Sequence, residues 1–343
     1  RILSRSKFLQ NLNYVPPFWI LNGWMNLGVF MLKQKLWKSL GMISLKKQTI
    51  ITPDNGIISI DWMDDPKTRM LPDNAPIICI LHTVTGSGDG TWDFLRDIPK
   101  YGWRACVFVR RGHGGHPLMN ATFSVMGDVE DTKLQVEAVR KRYPNAFFGM
   151  AGLSAGSGLL ITYLGKESHN SPIGVAASLC PAYDISQAFK GLAKRYPMVD
   201  SVITKSMKKT WIHGNADVLR EHCSVSFEAC CNAETIMEFW ESASKYSGHE
   251  DFDEFCKHNN PMNFFQGIRC PTLVLNSLDD PVCVRENIRF DLAEQTENVA
   301  LAVTTTGSHI AYVDGIVGES QWMTKICMEF MSHAYHDHLH QTV

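Results

Sequence analysis

Net charge is nearly absent from this sequence: 33 Lys and Arg stand against 35 Asp and Glu, a formal −2 at pH 7. A chain without a basic excess has no electrostatic footprint for a phosphate backbone, which excludes nucleic acid as a main partner. Metal-ligand spacing is missing as well. The ten cysteines form no C-x-x-C pair and no zinc-like Cys/His pattern, so no metal and no organic cofactor is expected. Cys79, Cys106 and Cys180 lie in apolar runs and read as buried core thiols, and the adjacent Cys230 and Cys231 as structural. This usage fits a reducing, intracellular compartment without disulfides. A hydrophobic fraction of 45% and a charged fraction of 20% are those of an ordinary globular protein. At 343 residues the chain suits one α/β domain with an insertion and an N-terminal extension.

Charged side chains are also missing from residues 8–32, FLQNLNYVPPFWILNGWMNLGVFML, which Lys33, Lys35 and Lys38 follow. The length would allow a membrane span. Pro16-Pro17 breaks a helix, however, and Asn11, Asn13, Asn22 and Asn26 are costly in hydrocarbon. Trp19, Trp24 and Trp37 suit an interface. The segment is expected to pack on the domain or to lie on a membrane surface, ahead of crossing one. The chain begins at Arg1 rather than Met, which leaves room for an upstream targeting segment or anchor.

What is present centres on Phe147–Leu160, FFGMAGLSAGSGLL. An apolar run enters Gly152-Leu153-Ser154-Ala155-Gly156, and a helix-forming stretch leaves it. This is G-x-S-x-G between a strand and a helix, where a sharp turn forces the serine into a strained conformation and requires small neighbours on both sides. Ser154 then stands at the head of a helix, whose free N–H groups favour developing negative charge.

The rest of the chain supplies the frame. Gln48–Ile51 and Ile57–Trp62 read as a hairpin around Pro53-Asp54-Asn55-Gly56. Ile77–Leu81, Ala105–Val109, Ile173–Cys180, Pro271–Leu275 and Val299–Val303 are apolar runs of the kind buried on both faces of a parallel sheet. Helices are expected over Ser124–Arg142, from the elbow to Lys166, over Arg285–Ala293 and over Glu319–Ala334. The strand and helix alternation predicts an α/β architecture, a mostly parallel central sheet with helices on both faces. Between Ser186 and Asn263 no strand-like run occurs, and Met, Phe and Trp are scattered among charges, as in a helical cap over the ligand-binding edge of the sheet. The expected divisions are therefore 1–47 for the extension, 48–185 for the first part of the core, 186–263 for the cap and 264–343 for the rest of the core.

Each residue that chemistry would need follows a predicted strand, and strand ends of one sheet converge on one edge. Ser154, Asp280 and His309 occur in the chain order Ser…Asp…His. A histidine removes the serine proton, and a carboxylate fixes the imidazole tautomer. Asp280, directly before Pro281, is favoured over Asp279 as that carboxylate. The oxyanion donors are expected to be the backbone N–H groups of Ala155 and, in the loop after Leu81, Val84. His82 and His113 are expected to shape loops at the same edge. His333, His336, His338 and His340 read as a solvated helix end rather than a metal site.

With these motifs on view, the chain resembles the α/β-hydrolase-domain esterases grouped as the bacterial YheT-like hydrolases and the eukaryotic ABHD1-2-3-type lipid hydrolases. The resemblance runs through Tyr14–Gly23, Pro53–Gly56 with Ile60–Trp62, Arg111–Gly115 and Asn276–Pro281. It implies Ser154, Asp280 and His309 as a triad, hydrolysis of carboxylic and often lipid-like esters, and membrane association through the N-terminus. Some relatives transfer the acyl group to an alcohol, and His309-x4-Asp314 has the spacing of an acyltransferase signature. Three positions depart from the family pattern: Thr83 stands where Gly is common, Trp24 where His follows Asn-Gly, and Ser157 where Gly is frequent. The expected function is a serine esterase or lipase for medium or long acyl esters, with two alternatives. One is an acyltransferase using the same residues, and the other a non-catalytic subunit of a membrane complex on a hydrolase fold.

Overall fold

The computed structural model describes residues 6–124 and 126–341. Residues 1–5, 125, 342 and 343, which fall within the expected extension, the expected 124–142 helix and the end of the core, lie outside the described residues. The strands are β1 (Leu45–Ile51), β2 (Ile57–Met63), β3 (Ile77–Leu81), β4 (Arg104–Val109), β5 (Phe148–Leu153), β6 (Val175–Leu179), β7 (Thr272–Ser277) and β8 (Val299–Thr304). They form one eight-stranded sheet in the order β1-β2-β4-β3-β5-β6-β7-β8. β1 and β2 pair antiparallel from Leu45↔Met63 to Ile51↔Ile57, and β2 joins β4 antiparallel. From β4 through β8 every pairing is parallel.

Strand alternation divides the core between the two faces. Ile78 and Ile80 of β3 and Val107 of β4 face a layer containing Trp322, Ile326 and Phe330. Ile77, Cys79, Leu81 and Phe108 face the opposite layer, with Val136, Val139, Leu160 and Ile161. The helices that supply these layers are α2 (Glu130–Arg142) and α3 (Ala155–Glu167) on one face and the C-terminal helix (Trp322–Gln341) on the other, while α1 (Gly23–Ser39) belongs to the N-terminal segment.

Between β6 and β7 the chain is built of helices: α4 (Ile185–Arg195), α5 (Pro197–Met207), α6 (Ala216–His222), α7 (Ser224–Asn232), α8 (Ile236–Ala243) and α9 (Phe252–Asn259). Together with the segment that precedes α2 they build a separate aromatic core, in which Trp211 stacks on Phe123 at 5.3 Å and Trp240 on Phe255 at 5.0 Å. α10 (Phe290–Gln295) and α11 (Trp322–Gln341) complete the chain.

Some boundaries differ from the sequence expectation for identifiable reasons. α2 begins at Glu130 rather than Ser124, because Gly127 N–H donates to Asn259 Oδ1 at 2.6 Å and the preceding backbone is spent on contact with α9. The expected helix over 285–293 is broken into a short turn, Arg285–Asn287, and α10. Asn287 between them is buried and donates to the Asp184 carbonyl. α11 runs on to Gln341, so His333, His336, His338 and His340 lie on a helix. β6 is shorter than Ile173–Cys180, and Cys180 adopts φ 55° in the turn beyond it.

The apolar N-terminal segment is packed into the fold. Asn22 caps α1 through Met25 N–H at 3.0 Å. The Tyr14 hydroxyl donates to the Val313 carbonyl at 2.8 Å and accepts from Asn26 Nδ2 at 2.8 Å, while Val313 N–H donates to Asn26 Oδ1 at 2.9 Å. All three residues are buried. The asparagine that would be costly in hydrocarbon is thus satisfied by protein partners. Among the described residues no helix is long and apolar enough to cross a membrane.

Candidate active site

The elbow follows from its glycines. Ser154 sits between β5 and α3 at φ 55° and ψ −118°, a region that side-chain-bearing residues adopt only under strain. A Cβ on Gly152 would lie 2.3 Å from the Gly156 carbonyl oxygen, and one on Gly156 2.1 Å from that of Leu81. No side chain fits at either position without moving backbone. Ser154 N–H is tied to the Leu179 carbonyl at 2.9 Å, and Ser157 N–H returns to the Ser154 carbonyl at 2.9 Å. The Ser157 hydroxyl also donates to that carbonyl, so the departure from Gly adds a bond to the turn.

The turn presents Ser154 Oγ to His309 Nε2 at 2.7 Å. The other ring nitrogen, Nδ1, lies 2.8 Å from Asp280 Oδ2. Asp280 is buried, and its second oxygen accepts from Val282 N–H at 2.7 Å and Cys283 N–H at 2.8 Å. Three bonds therefore fix the position of this carboxylate. Asp279 points elsewhere. It accepts from Ser277 Oγ at 2.5 Å, Thr306 Oγ1 at 2.8 Å and Ser308 N–H at 2.8 Å, which moors the loop that carries His309. Gly23 lies against the same carboxylate, where a Cβ would meet Asp279 Oδ2 at 2.5 Å. Cys180 is the buried core thiol expected, and its sulfur lies within 4.8 Å of side-chain atoms of both Asp280 and His309. Burial and the Asp280 charge raise its pKa well above the usual thiol value.

Ser154 and His309 open onto a cavity of about 310 Å³. Val84 and Ala155, the residues expected to give the oxyanion donors, line it as well. Its far wall is apolar, with Ile185, Leu192, Ile203, Met207 and Trp240 among the lining residues. Met31 of α1 and Val202 of α5 also line it while remaining 50% and 59% exposed, which marks the mouth between these two helices.

Comparison with known proteins gives a consistent answer. Phospholipase ABHD3 of Bos taurus and of Homo sapiens are each 26% identical over 352 residues, covering 98% of this chain and 84% of the relative. Monoacylglycerol lipase of Saccharomyces cerevisiae is 26% identical over 278 residues, covering 77% of this chain and 60% of the relative. The solved Pyrococcus furiosus esterase Pf2001 superposes with a TM-score of 0.55 at 18% identity, covering 86% of this chain and 92% of that one, a likeness of fold. This chain is similar to the ABHD-type α/β-hydrolase esterases and has their fold. No family model matches it.

In this α/β-hydrolase fold the loop after β3 is held by a group that the sequence did not single out. Arg110, at the end of β4, is 4% exposed and donates through Nη2 to the Thr83 carbonyl at 2.6 Å. His82 Nε2 accepts from Arg110 N–H at 3.2 Å, which leaves the proton of a neutral ring on Nδ1, 2.8 Å from the same Thr83 carbonyl. Burial and the Arg110 charge keep His82 neutral by pushing its pKa well below the usual histidine value. His113 Nε2 lies 2.9 Å from the Val84 carbonyl, and burial and Arg110 lower its pKa to about 3. The expectation that His82 and His113 shape this loop thus has a specific form in which Arg110 is the third member. The signal available in the sequence was the doublet Arg110-Arg111 after an apolar strand, of which only the second arginine belongs to the family motif. Arg111 turns away to Asp131, at 2.6 and 2.7 Å, and to Asp54. Of the other residues noted in the sequence, Trp24 packs edge-on against Tyr196 at 5.3 Å, and Asp314 lies on a short strand, Val313–Asp314.

Proposed function

We propose that this protein hydrolyses carboxylic esters with apolar, lipid-like acyl chains through an acyl-enzyme on Ser154. The observation that carries the reading is the hydrogen-bonded line Ser154 Oγ, His309 Nε2, His309 Nδ1, Asp280 Oδ2, with steps of 2.7 and 2.8 Å, at the floor of an apolar cavity. Oγ attacks the ester carbonyl carbon as its proton passes to His309 Nε2, and the carbonyl π pair moves onto oxygen. Val84 and Ala155 N–H groups stabilise that oxyanion. Collapse expels the alcohol, which takes the proton from His309. Water repeats the sequence on the acyl-enzyme and releases the acid and free Ser154. The printed names of the curated relatives, a phospholipase and a monoacylglycerol lipase, support a lipid ester as substrate.

The direct test incubates the folded protein with a fluorophosphonate probe, then with monoacylglycerol and phosphatidylcholine in the presence of ethanol. Labelling with release of free fatty acid is expected. Release mainly as ethyl ester would favour an acyltransferase, and absence of labelling would favour the non-catalytic subunit.

The cavity mouth supports a membrane surface as the site of substrate uptake. Leu32 (66% exposed) lies on α1 and Met198 (83%) on α5, the two helices that frame it, and Phe18 (86%) and Leu21 (78%) lie in the turn that leads into α1. Burying such side chains in lipid is worth about 1.5–3 kcal/mol each. A Phe18→Asp/Leu21→Asp double variant is expected to lose about tenfold or more in cosedimentation with phosphatidylcholine vesicles. Its turnover of soluble p-nitrophenyl butyrate should stay at the wild-type value. Unchanged vesicle binding would remove the N-terminal segment from this role.

A further inference from the structure

Arg110 is a buried cation without a carboxylate partner among the described residues, a costly arrangement that needs a reason. Burial alone depresses its pKa to about 10, and its Nε has no hydrogen-bond partner. What it does have is a set of carbonyls: Thr83 O at 2.6 Å, with Val84 O and His82 O each at 3.5 Å. The Thr83 carbonyl belongs to the same peptide unit as Val84 N–H. In a trans peptide the C=O and N–H point in opposite directions. Turning the Thr83 oxygen towards Arg110 and His82 therefore turns Val84 N–H away from them, and Val84 lines the cavity with Ser154.

We propose that Arg110 is a positioning residue for the oxyanion loop: its guanidinium fixes and polarises the Thr83–Val84 peptide, so that Val84 N–H meets the charge that develops on the substrate carbonyl oxygen. Three consequences fit together. A cation hydrogen-bonded to a peptide oxygen makes the N–H at the other end of that peptide a stronger donor. The charge sits in a dry, low-dielectric site, where its field on the oxyanion is poorly screened. The substitution of Thr83 for the family's Gly becomes tolerable, because three donors on its carbonyl, Arg110 Nη2, His82 Nδ1 and Gly86 N–H at 3.1 Å, hold a β-branched residue in one conformation. His82 and His113 are neutral and contribute geometry, whereas Arg110 contributes geometry and charge.

The inference rests on the ester-hydrolase reading, and the experiment separates the two. Arg110→Met, Arg110→Lys and Ser154→Ala are compared with wild type for kcat and KM on p-nitrophenyl octanoate, for folding by circular dichroism, and for inhibition by an octyl trifluoromethyl ketone, which binds as a tetrahedral oxyanion. Arg110→Met is expected to lose about 10–100-fold in kcat, less than the 10²–10³ lost with a direct oxyanion donor, at a KM within about threefold of wild type. The ketone should weaken by the same factor as kcat/KM. Arg110→Lys, which keeps the charge, should recover most of the loss. If Arg110→Met fails to fold, the proportionality between ketone affinity and kcat/KM is read on Arg110→Lys. A loss confined to KM or to the folded fraction, ketone affinity unchanged while kcat falls, or Arg110→Lys no better than Arg110→Met would overturn the proposal. Activity retained in Ser154→Ala would instead overturn the underlying reading.

Discussion

Replacing Ser154 by Ala is expected to lower kcat for ester hydrolysis by roughly 10⁵–10⁶-fold and to abolish fluorophosphonate labelling, with KM nearly unchanged. The size of the effect follows from Oγ being the atom that forms the covalent bond, with no second hydroxyl among the described residues bonded to His309 Nε2. His309→Ala should fall almost as far, because the serine then keeps its proton, and labelling should slow in parallel. The two losses should not add in the double variant, since both remove one unit. The fold should survive both changes: Ser154 is held through its backbone, and His309 is moored by the Asp279 bonds to Ser308 and Thr306. Ser154→Ala retaining a tenth or more of wild-type activity would defeat the acyl-enzyme reading.

The second large effect separates two adjacent carboxylates. Asp280→Asn is expected to cost about 10⁴-fold in kcat, because an amide facing Nδ1 no longer holds the imidazole in the tautomer with Nε2 free to take a proton. Asp279→Asn removes charge from a mooring rather than from the ring. Its three donors are two hydroxyls and one N–H, and an amide oxygen still serves part of that set. A loss of about tenfold with a lower denaturation midpoint is expected there. Stopped-flow measurement of both variants on the same activated ester decides the matter. A larger catalytic loss at Asp279 would reverse the assignment made here.

The parts of this molecule that were readable in its sequence are those set by local chemistry. IICIL at β3 and TLVL at β7 are legible as strands because short, nearly unbroken apolar runs suit burial on both faces of a parallel sheet. The elbow is legible because only glycines fit on either side of Ser154. The chain order of Ser154, Asp280 and His309 needed only the rule that parallel strand ends share an edge. What stayed hidden depends on contacts between distant segments. The late start of α2 comes from Asn259, 132 residues away from Gly127. Arg110 looked like one half of a charged doublet, and its importance appears only when β3 and β4 stand side by side and place it beneath the Thr83 carbonyl. Lack of charge marks the N-terminal segment as an element to be packed or laid on a surface. No local signal joins Tyr14 and Asn26 to Val313, 299 and 287 residues further on.

That last linkage bears on how the protein is cut. An apolar N-terminal segment, free of charge over residues 8–32, invites removal for the sake of solubility. Here the excision would take away Tyr14 and Asn26 and strand the buried N–H and C=O of Val313, four residues beyond His309. Each orphaned group costs about 1–3 kcal/mol, against a total stability of about 5–15 kcal/mol for a typical domain. The leader is a structural wall of the histidine loop, and a shortened chain beginning at β1 would trade insolubility for a disordered general base.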